Sequence, residues 1–181
     1  MKLDLGIDRK RIAKHVAVRV RDYPVYVNQG PGEDDDPVSL ITLGFSFDQS
    51  GWIALVFDTR PRAEPDGQWQ AYILENEESF EHWFDAVDPI HEATAFGGDG
   101  EPLVITRANG TKQTFESYDI DAIAEQIGSM LWEVLVEARD QGLFGKLPLA
   151  QDCLMSVEEQ DGYFGWPHYK DRNRLGRVHQ G

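Results

Sequence analysis

The sequence predicts an α+β fold, with an antiparallel sheet of about five or six strands packed against two or three helices. Three observations predict it. Apolar runs at 40–47 and 52–58 flank the turn-forming Asp48-Gln49-Ser50-Gly51, which is a hairpin pattern. A second pair of runs, 103–108 and 111–116, flanks Asn109-Gly110. That dipeptide tolerates the positive φ angles of a two-residue type I′ turn. From Asp119 to Arg139, apolar residues recur at helical spacing.

The chain opens with a helix expected over 7–22, where Asp8 is placed to cap it and Ile12, Val16, Val20 and Tyr23 recur close to every four residues. Val16, Val18 and Val20 also alternate as a strand would, so the pattern is weaker than that of the later helix. Tyr23-Pro24 stops the helix, Val25-Tyr26-Val27 can form a short strand, and 29–37 has the turn chemistry and charge of a loop. In the first hairpin, Ile41, Leu43, Phe45 and Phe47 form the more apolar face of the leading strand. Its partner is apolar on both faces from Trp52 to Phe57, as a central strand covered on both sides would be.

After a polar connector at 59–67, the alternation at 68–75 predicts a third strand and hence an antiparallel meander. Asn76 can cap a helix with Glu77 and Glu78 in its first turn and Phe80, Trp83, Phe84 and Val87 as its apolar stripe. Asp88-Pro89 ends it, and 90–100 reads as a loop. Past the second hairpin, Asp119 caps a long helix with Ile120, Ile123, Ile127, Met130, Leu131, Val134 and Leu135 along one seam. Trp132 and Val136 widen that face, and Gly142 is placed to stop the helix, the expected major cover of the sheet. Residues 149–157 predict a last strand, followed by an acidic, aromatic loop at 158–167. No internal repeat divides the chain. The reading is a single domain over 1–181: a basic N-terminal helix (7–22), an acidic α+β body (23–169) and a basic C-terminal tail (170–181).

Charge is the most informative bulk property. The net charge is −15, yet residues 1–21 carry seven basic side chains against Asp4 and Asp8, and 170–181 carry four against Asp171. The remaining 22–169 hold six basic and 29 acidic residues, or −23. A body this acidic repels nucleic-acid phosphate and anionic membrane and attracts a basic protein surface. The acid also serves solubility, and the basic ends can act as internal counterions. The first residues lack the apolar core of a signal peptide and no apolar run is long enough to span a membrane, so a cytoplasmic location is expected. The lone Cys153 leaves no partner for an intramolecular disulfide.

The search for chemistry yields no nucleotide-binding, nucleophile-elbow or zinc-protease motif. Glu33-Asp34-Asp35-Asp36 lacks the alternating ligands and mid-loop glycine of a calcium loop, so a solvated loop is the reading. His82 and Asp85 lie three residues apart on the 76–88 helix with His91 beyond it. Imidazole and carboxylate together suit a metal or an acid–base pair, but Pro89 separates the histidines, and surface residues beside a core stripe explain them as well. Cys153 falls in an apolar strand, where burial raises a thiol pKa and makes packing its expected role. No catalytic residue, cofactor or metal ligand is therefore assigned.

The best candidate surface is the loop after the last strand. There Tyr163, Phe164 and Trp166 supply apolar area beside Glu158, Glu159 and Asp161, and Asp34, Asp35 and Asp36 add charge. Aromatic anchors ringed by acid suit a basic protein partner; the alternative is that the aromatics fold back as a lid on the core. Asp48 and Asp58, at the hairpin's strand ends, would extend an acidic rim.

The layout resembles that of small acidic bacterial immunity and uncharacterised-domain proteins found beside polymorphic toxins: a basic amphipathic start, antiparallel strands, amphipathic helices and an acidic, aromatic C-terminal loop. The resemblance rests on charge, size and order of elements. It implies a cytosolic, non-enzymatic protein that covers a toxin, and it carries over no catalytic residue. Two other readings stand beside it: a small enzyme with a site around His82, Asp85 and His91, and a nucleic-acid mimic whose carboxylates occupy phosphate positions.

Overall fold

The computed structural model describes residues 2–23, 37–45, 53–59, 70–73, 102–115 and 120–159, and at 70–73, 120 and 121 the backbone alone. The predicted strand at 25–27, helix at 76–88, loop at 90–100 and tail at 170–181 lie outside these residues.

The first element is one the sequence pattern did not show. Strand β1 (Lys2–Asp4) runs directly into helix α1 (Leu5–Arg21). Its Asp4, rather than the predicted Asp8, is the cap: the Oδ1 atom accepts from the Gly6 N–H at 3.0 Å and the Ile7 N–H at 3.3 Å. Both aspartates have the right chemistry for a cap. Pairing of β1 with another strand decides between them, because it fixes where extended backbone must turn into helix. Asp8 instead falls in the first turn, buried, where a carboxylate complements the helix dipole. The helical spacing of Ile12, Val16, Val20 and Tyr23 is borne out, all four being buried, whereas the alternating Val18 is only half-buried.

The first hairpin forms as its alternation predicts. Strands β2 (Val38–Phe45) and β3 (Ile53–Asp58) pair antiparallel, with Ile41 opposite Phe57, Leu43 opposite Leu55 and Phe45 opposite Ile53. All six residues of β3 are buried, which matches the strand apolar on both faces. Strand β4 (Gln70–Ile73) adds antiparallel to β3 and completes the meander.

The second hairpin, β5 (Leu103–Thr106) and β6 (Lys112–Phe115), has a longer turn than its dipeptide predicts. The Arg107 N–H donates to the Thr111 carbonyl, closing a three-residue loop of Ala108, Asn109 and Gly110. Inside it the Gly110 N–H donates back to the Arg107 carbonyl, and Gly110 takes φ +81°, the left-handed region that favours glycine. Asn109 Oδ1 accepts from the Thr111 N–H and hydroxyl, so the asparagine braces the loop with its side chain.

Helix α2 (Ile120–Asp140) buries the predicted seam from Ile123 to Leu135 and ends at Gly142, which has φ +69°. A 3₁₀ turn (Leu143–Lys146) then leads into strand β7 (Leu149–Glu159).

One antiparallel sheet of five or six strands is not what assembles. The described residues form two mixed sheets, of order β1-β5-β6 and β4-β3-β2-β7. The pairs β1–β5 and β2–β7 are parallel, and each joins segments about a hundred residues apart. Apolar alternation reports which face of a strand is buried, but it carries no sign for the direction of the neighbouring strand. The pairs β2–β3 and β5–β6 are antiparallel as expected; the long-range partners are not. Strand β7 also bulges, since Leu149 pairs with Val38 and Leu154 with Leu40, leaving three extra residues on β7.

One apolar cluster joins these elements. Ile41, Leu43 and Phe45 share a sheet face with Met155 and Val157, and α2 packs on this face at β7 and β2. Helix α1 packs beside α2, placing Ile12, Val16 and Val20 in the same cluster as Leu3, Leu103 and Ile105 of the smaller sheet. The Tyr23 ring meets Phe57 edge to face at 5.0 Å between centroids, pinning the end of α1 to the larger sheet.

Candidate functional site

The carboxylates expected to open the aromatic loop belong instead to the end of β7. Glu158 and Glu159 pair in register with Gly44 and Phe45. They therefore point to opposite faces of the sheet. Glu159 lies on the helix-covered face and is only 5% exposed. Glu158, half-buried on the other face, accepts from the Ser156 hydroxyl at 3.1 Å. Ser156 lies 2.7 Å from the Thr42 hydroxyl on β2. A carboxylate can only accept, so the Ser156 proton goes to Glu158 and Thr42 supplies the proton of the other bond. The result is a one-way chain of hydroxyls running across the parallel β2–β7 pair to an acidic strand end.

That chain ties β2 to β7 through side chains as well as backbone. The sole histidine among the described residues, His15, sits on α1 and contributes no base to Ser156. Burial, followed by the charges of Arg19 and Lys14, lowers the His15 pKa. Asp58 is buried at the end of β3, so it does not extend a surface rim. Cys153 is buried as the apolar strand predicts, its Sγ 3.7 Å from the Leu154 carbonyl. Among the described residues, no three His, Cys, Asp or Glu side chains gather to hold a metal. Asp161, Tyr163, Phe164, Trp166, Asp34, Asp35 and Asp36 lie outside the described residues, as do His82, Asp85, His91 and Asp48.

The basic start of the chain is partly an internal counterion. Arg9 Nη2 donates to Glu137 of α2 at 2.9 Å, tying the two helices together. Arg21 grips the neighbouring Asp22 with two hydrogen bonds, at 2.7 and 3.1 Å, and the hydrogen bond lowers the Asp22 pKa. Lys10, Arg11 and Lys14 are exposed on the outer side of α1.

Charge divides sharply along the chain. The described residues hold 11 basic and 12 acidic side chains, close to neutrality. Most of the net −15 therefore belongs to the other segments. Residues 24–36 and 74–101 contain 13 carboxylates and not one lysine or arginine.

A feature that sequence reasoning missed lies at the opposite end of α1 from Tyr23. The hairpin tip abuts the helix start so closely that a Cβ on Gly6 would lie 3.7 Å from the Ala108 Cα atom. Beside this junction is a cleft of about 380 Å³ between α1, the tip and α2. Its polar wall comprises Arg9, Arg107, Asn109, Gln126, Ser129 and Glu133, and its apolar part comprises Leu5, Ala108 and Met130. Gln126, Ser129, Met130 and Glu133 fall on one stripe of α2, being spaced three, four and seven residues from the first. That polar stripe beside the apolar seam was the one signal available in the sequence. Convergence with Arg9 and Arg107 required the fold.

Within the cleft, Arg107 Nη2 donates to Gln113 Oε1 at 2.6 Å, across the hairpin. Arg9 Nε is buried, lies 3.7 Å from Glu133 Oε2 and makes no hydrogen bond. No helix among the described residues is long and apolar enough to cross a membrane. No family model, characterised protein or solved structure matches this chain.

Proposed function

We propose that this protein is a non-enzymatic, acidic protein-binding module, of the bacterial immunity type, whose partner presents a basic surface. The observation that carries the reading is the segregation of charge. A near-neutral α+β scaffold is joined to two segments, 24–36 and 74–101, that hold 13 carboxylates without a cation. Charge of one sign concentrated in a segment raises the encounter rate with an opposite surface and disfavours like-charged partners. The aromatic-acidic stretch with Asp161, Tyr163, Phe164 and Trp166 supplies the apolar anchors that such charge alone lacks.

The test is quantitative. A basic protein captured from the native host is purified, and its association rate with this chain is measured from 20 to 500 mM salt. The variant Asp34→Asn/Asp35→Asn/Asp36→Asn is measured in parallel. The expected result is an association rate that falls at least tenfold with salt and is slower for the variant at low salt. A purified pair that fails to associate, or one indifferent to both salt and variant, overturns the reading. For a toxic partner, co-production with this protein should also restore growth of the host.

A further inference from the structure

We propose that the cleft between the start of α1, the β5–β6 tip and α2 is a binding site for a small hydroxylated anion, a hydroxy acid or a sugar phosphate. The proposal is independent of the protein-binding reading. Four observations converge on it.

The first is size. About 380 Å³ lies at the lower end of the range occupied by small-molecule sites. Second, two guanidiniums from elements far apart in sequence meet there, each already held by a neighbour: Arg9 by Glu137 and Arg107 by Gln113. Holding them reduces the side-chain entropy a ligand must remove. Third, their charges are answered unequally. Arg9 faces Glu137 and Glu133, whereas the Arg107 hydrogen bond goes to a neutral amide, and among the described residues no carboxylate pairs with it. An oxyanion placed at Arg107 therefore meets a cation not already neutralised, and guanidinium geometry suits carboxylate and phosphate alike.

The fourth is the buried Arg9 Nε–H, which has no acceptor. Buried donors are rarely left unmade, and a small turn of the Arg9 side chain toward the cleft would let a ligand acceptor complete it. The other polar groups define the rest of the ligand. The Glu133 carboxylate accepts only, while the Ser129 hydroxyl and Gln126 amide both give and accept, so this wall matches hydroxyl groups. Asn109 Oδ1 is taken by Thr111, which leaves the amide nitrogen as the asparagine's donor. Glu133 disfavours a fully ionic ligand filling the whole cleft. An anion at one end and hydroxyls at the other satisfies both walls, with the carbon chain over Leu5, Ala108 and Met130.

The arginine Nε–H resonances of the intact ¹⁵N-labelled chain provide the readout. The chain is titrated with citrate, with glycerol 3-phosphate, with uncharged glycerol, and with sodium chloride at matched ionic strength. The expected result is saturable movement of the Arg9 and Arg107 signals with a Kd below about 1 mM for one or both anions. Response to citrate alone or to the phosphate ester alone supports the proposal and names the anionic group. Arg107→Gln should weaken binding at least tenfold, and Ser129→Trp, which fills the cleft from an exposed position, should abolish it. Far-ultraviolet circular dichroism and the amide spectrum verify that each variant is folded. Non-saturable shifts, equal shifts with sodium chloride or glycerol, or unchanged binding in both folded variants would overturn the proposal.

Discussion

Leu43→Ala gives the sharpest test of how the two halves of this chain are joined. Leu43 is fully buried at the middle of β2, opposite Leu55 on β3 and Val157 on β7. The substitution removes three carbons, worth about 2.4 kcal/mol at ~0.8 kcal/mol each. Strands on both sides restrict collapse, so a residual cavity of roughly 50 Å³ adds about 1.2 kcal/mol. The expected loss is thus about 3.5 kcal/mol, and the melting temperature should fall by about 7–14 °C for a chain of this size. Urea unfolding followed by tryptophan fluorescence, with the slope unchanged, measures it. The matched control is Leu40→Ala, three residues away on the other face and only half-buried beside Asp58 and Leu154, which should cost about 1–2 kcal/mol. The difference between the two is more secure than either value, because the unfolded-chain reference largely cancels. A Leu43→Ala loss below about 1.5 kcal/mol, or one equal to the control, would refute the packing of β7 against β2.

The remaining predictions address the elements that the sequence placed less sharply. Asp4→Ala should destabilise by about 1 kcal/mol, because two α1 amides lose their acceptor. Amide-exchange protection of Gly6 and Ile7 should fall in Asp4→Ala and stay intact in Asp8→Ala, and unchanged protection in Asp4→Ala would refute Asp4 as the cap. Gly110→Ala should cost about 1–2 kcal/mol through its positive φ alone, since no atom crowds the added methyl; an unchanged melting temperature would count against the three-residue loop. For His15 the sign follows from its lowered pKa: between the folded value and the unfolded 6.5, the unfolded chain binds more protons. Stability should therefore be insensitive to His15 above about pH 6.5 and decline as pH falls below it, and His15→Gln should flatten that decline in a melting-temperature series. A decline identical in His15→Gln would assign it to other groups.

The legibility of this chain varied with the range of the interactions involved. Tyr23 and the valines of α1, the seam from Ile123 to Leu135, the doubly buried β3 and the stop at Gly142 could all be read from residue order. Each depends on periodicity or on the chemistry of a few neighbours. The cap at Asp4 could not, because β1 is three residues long and exists only through β5. The Asn109-Gly110 dipeptide marks the position of the turn but not its length, since pairing of Arg107 with Thr111 sets the register. Glu158 and Glu159, which composition alone assigned to a loop, were drawn into β7 by the long pairing with β2.

By itself, then, the amino-acid order determined the α+β class, the two hairpins, both described helices and the separation of acidic from basic stretches. Local backbone preference and one-sided burial act within a few residues, so they leave their mark in order alone. Tertiary structure decided the rest: two mixed sheets among the described residues in place of one antiparallel sheet, the hydroxyl chain from Thr42 to Glu158, and the cleft that Arg9 and Arg107 both line. Those features join residues roughly a hundred positions apart. Strand direction and side-chain convergence over that distance are set by packing of the whole chain, and no local pattern encodes them.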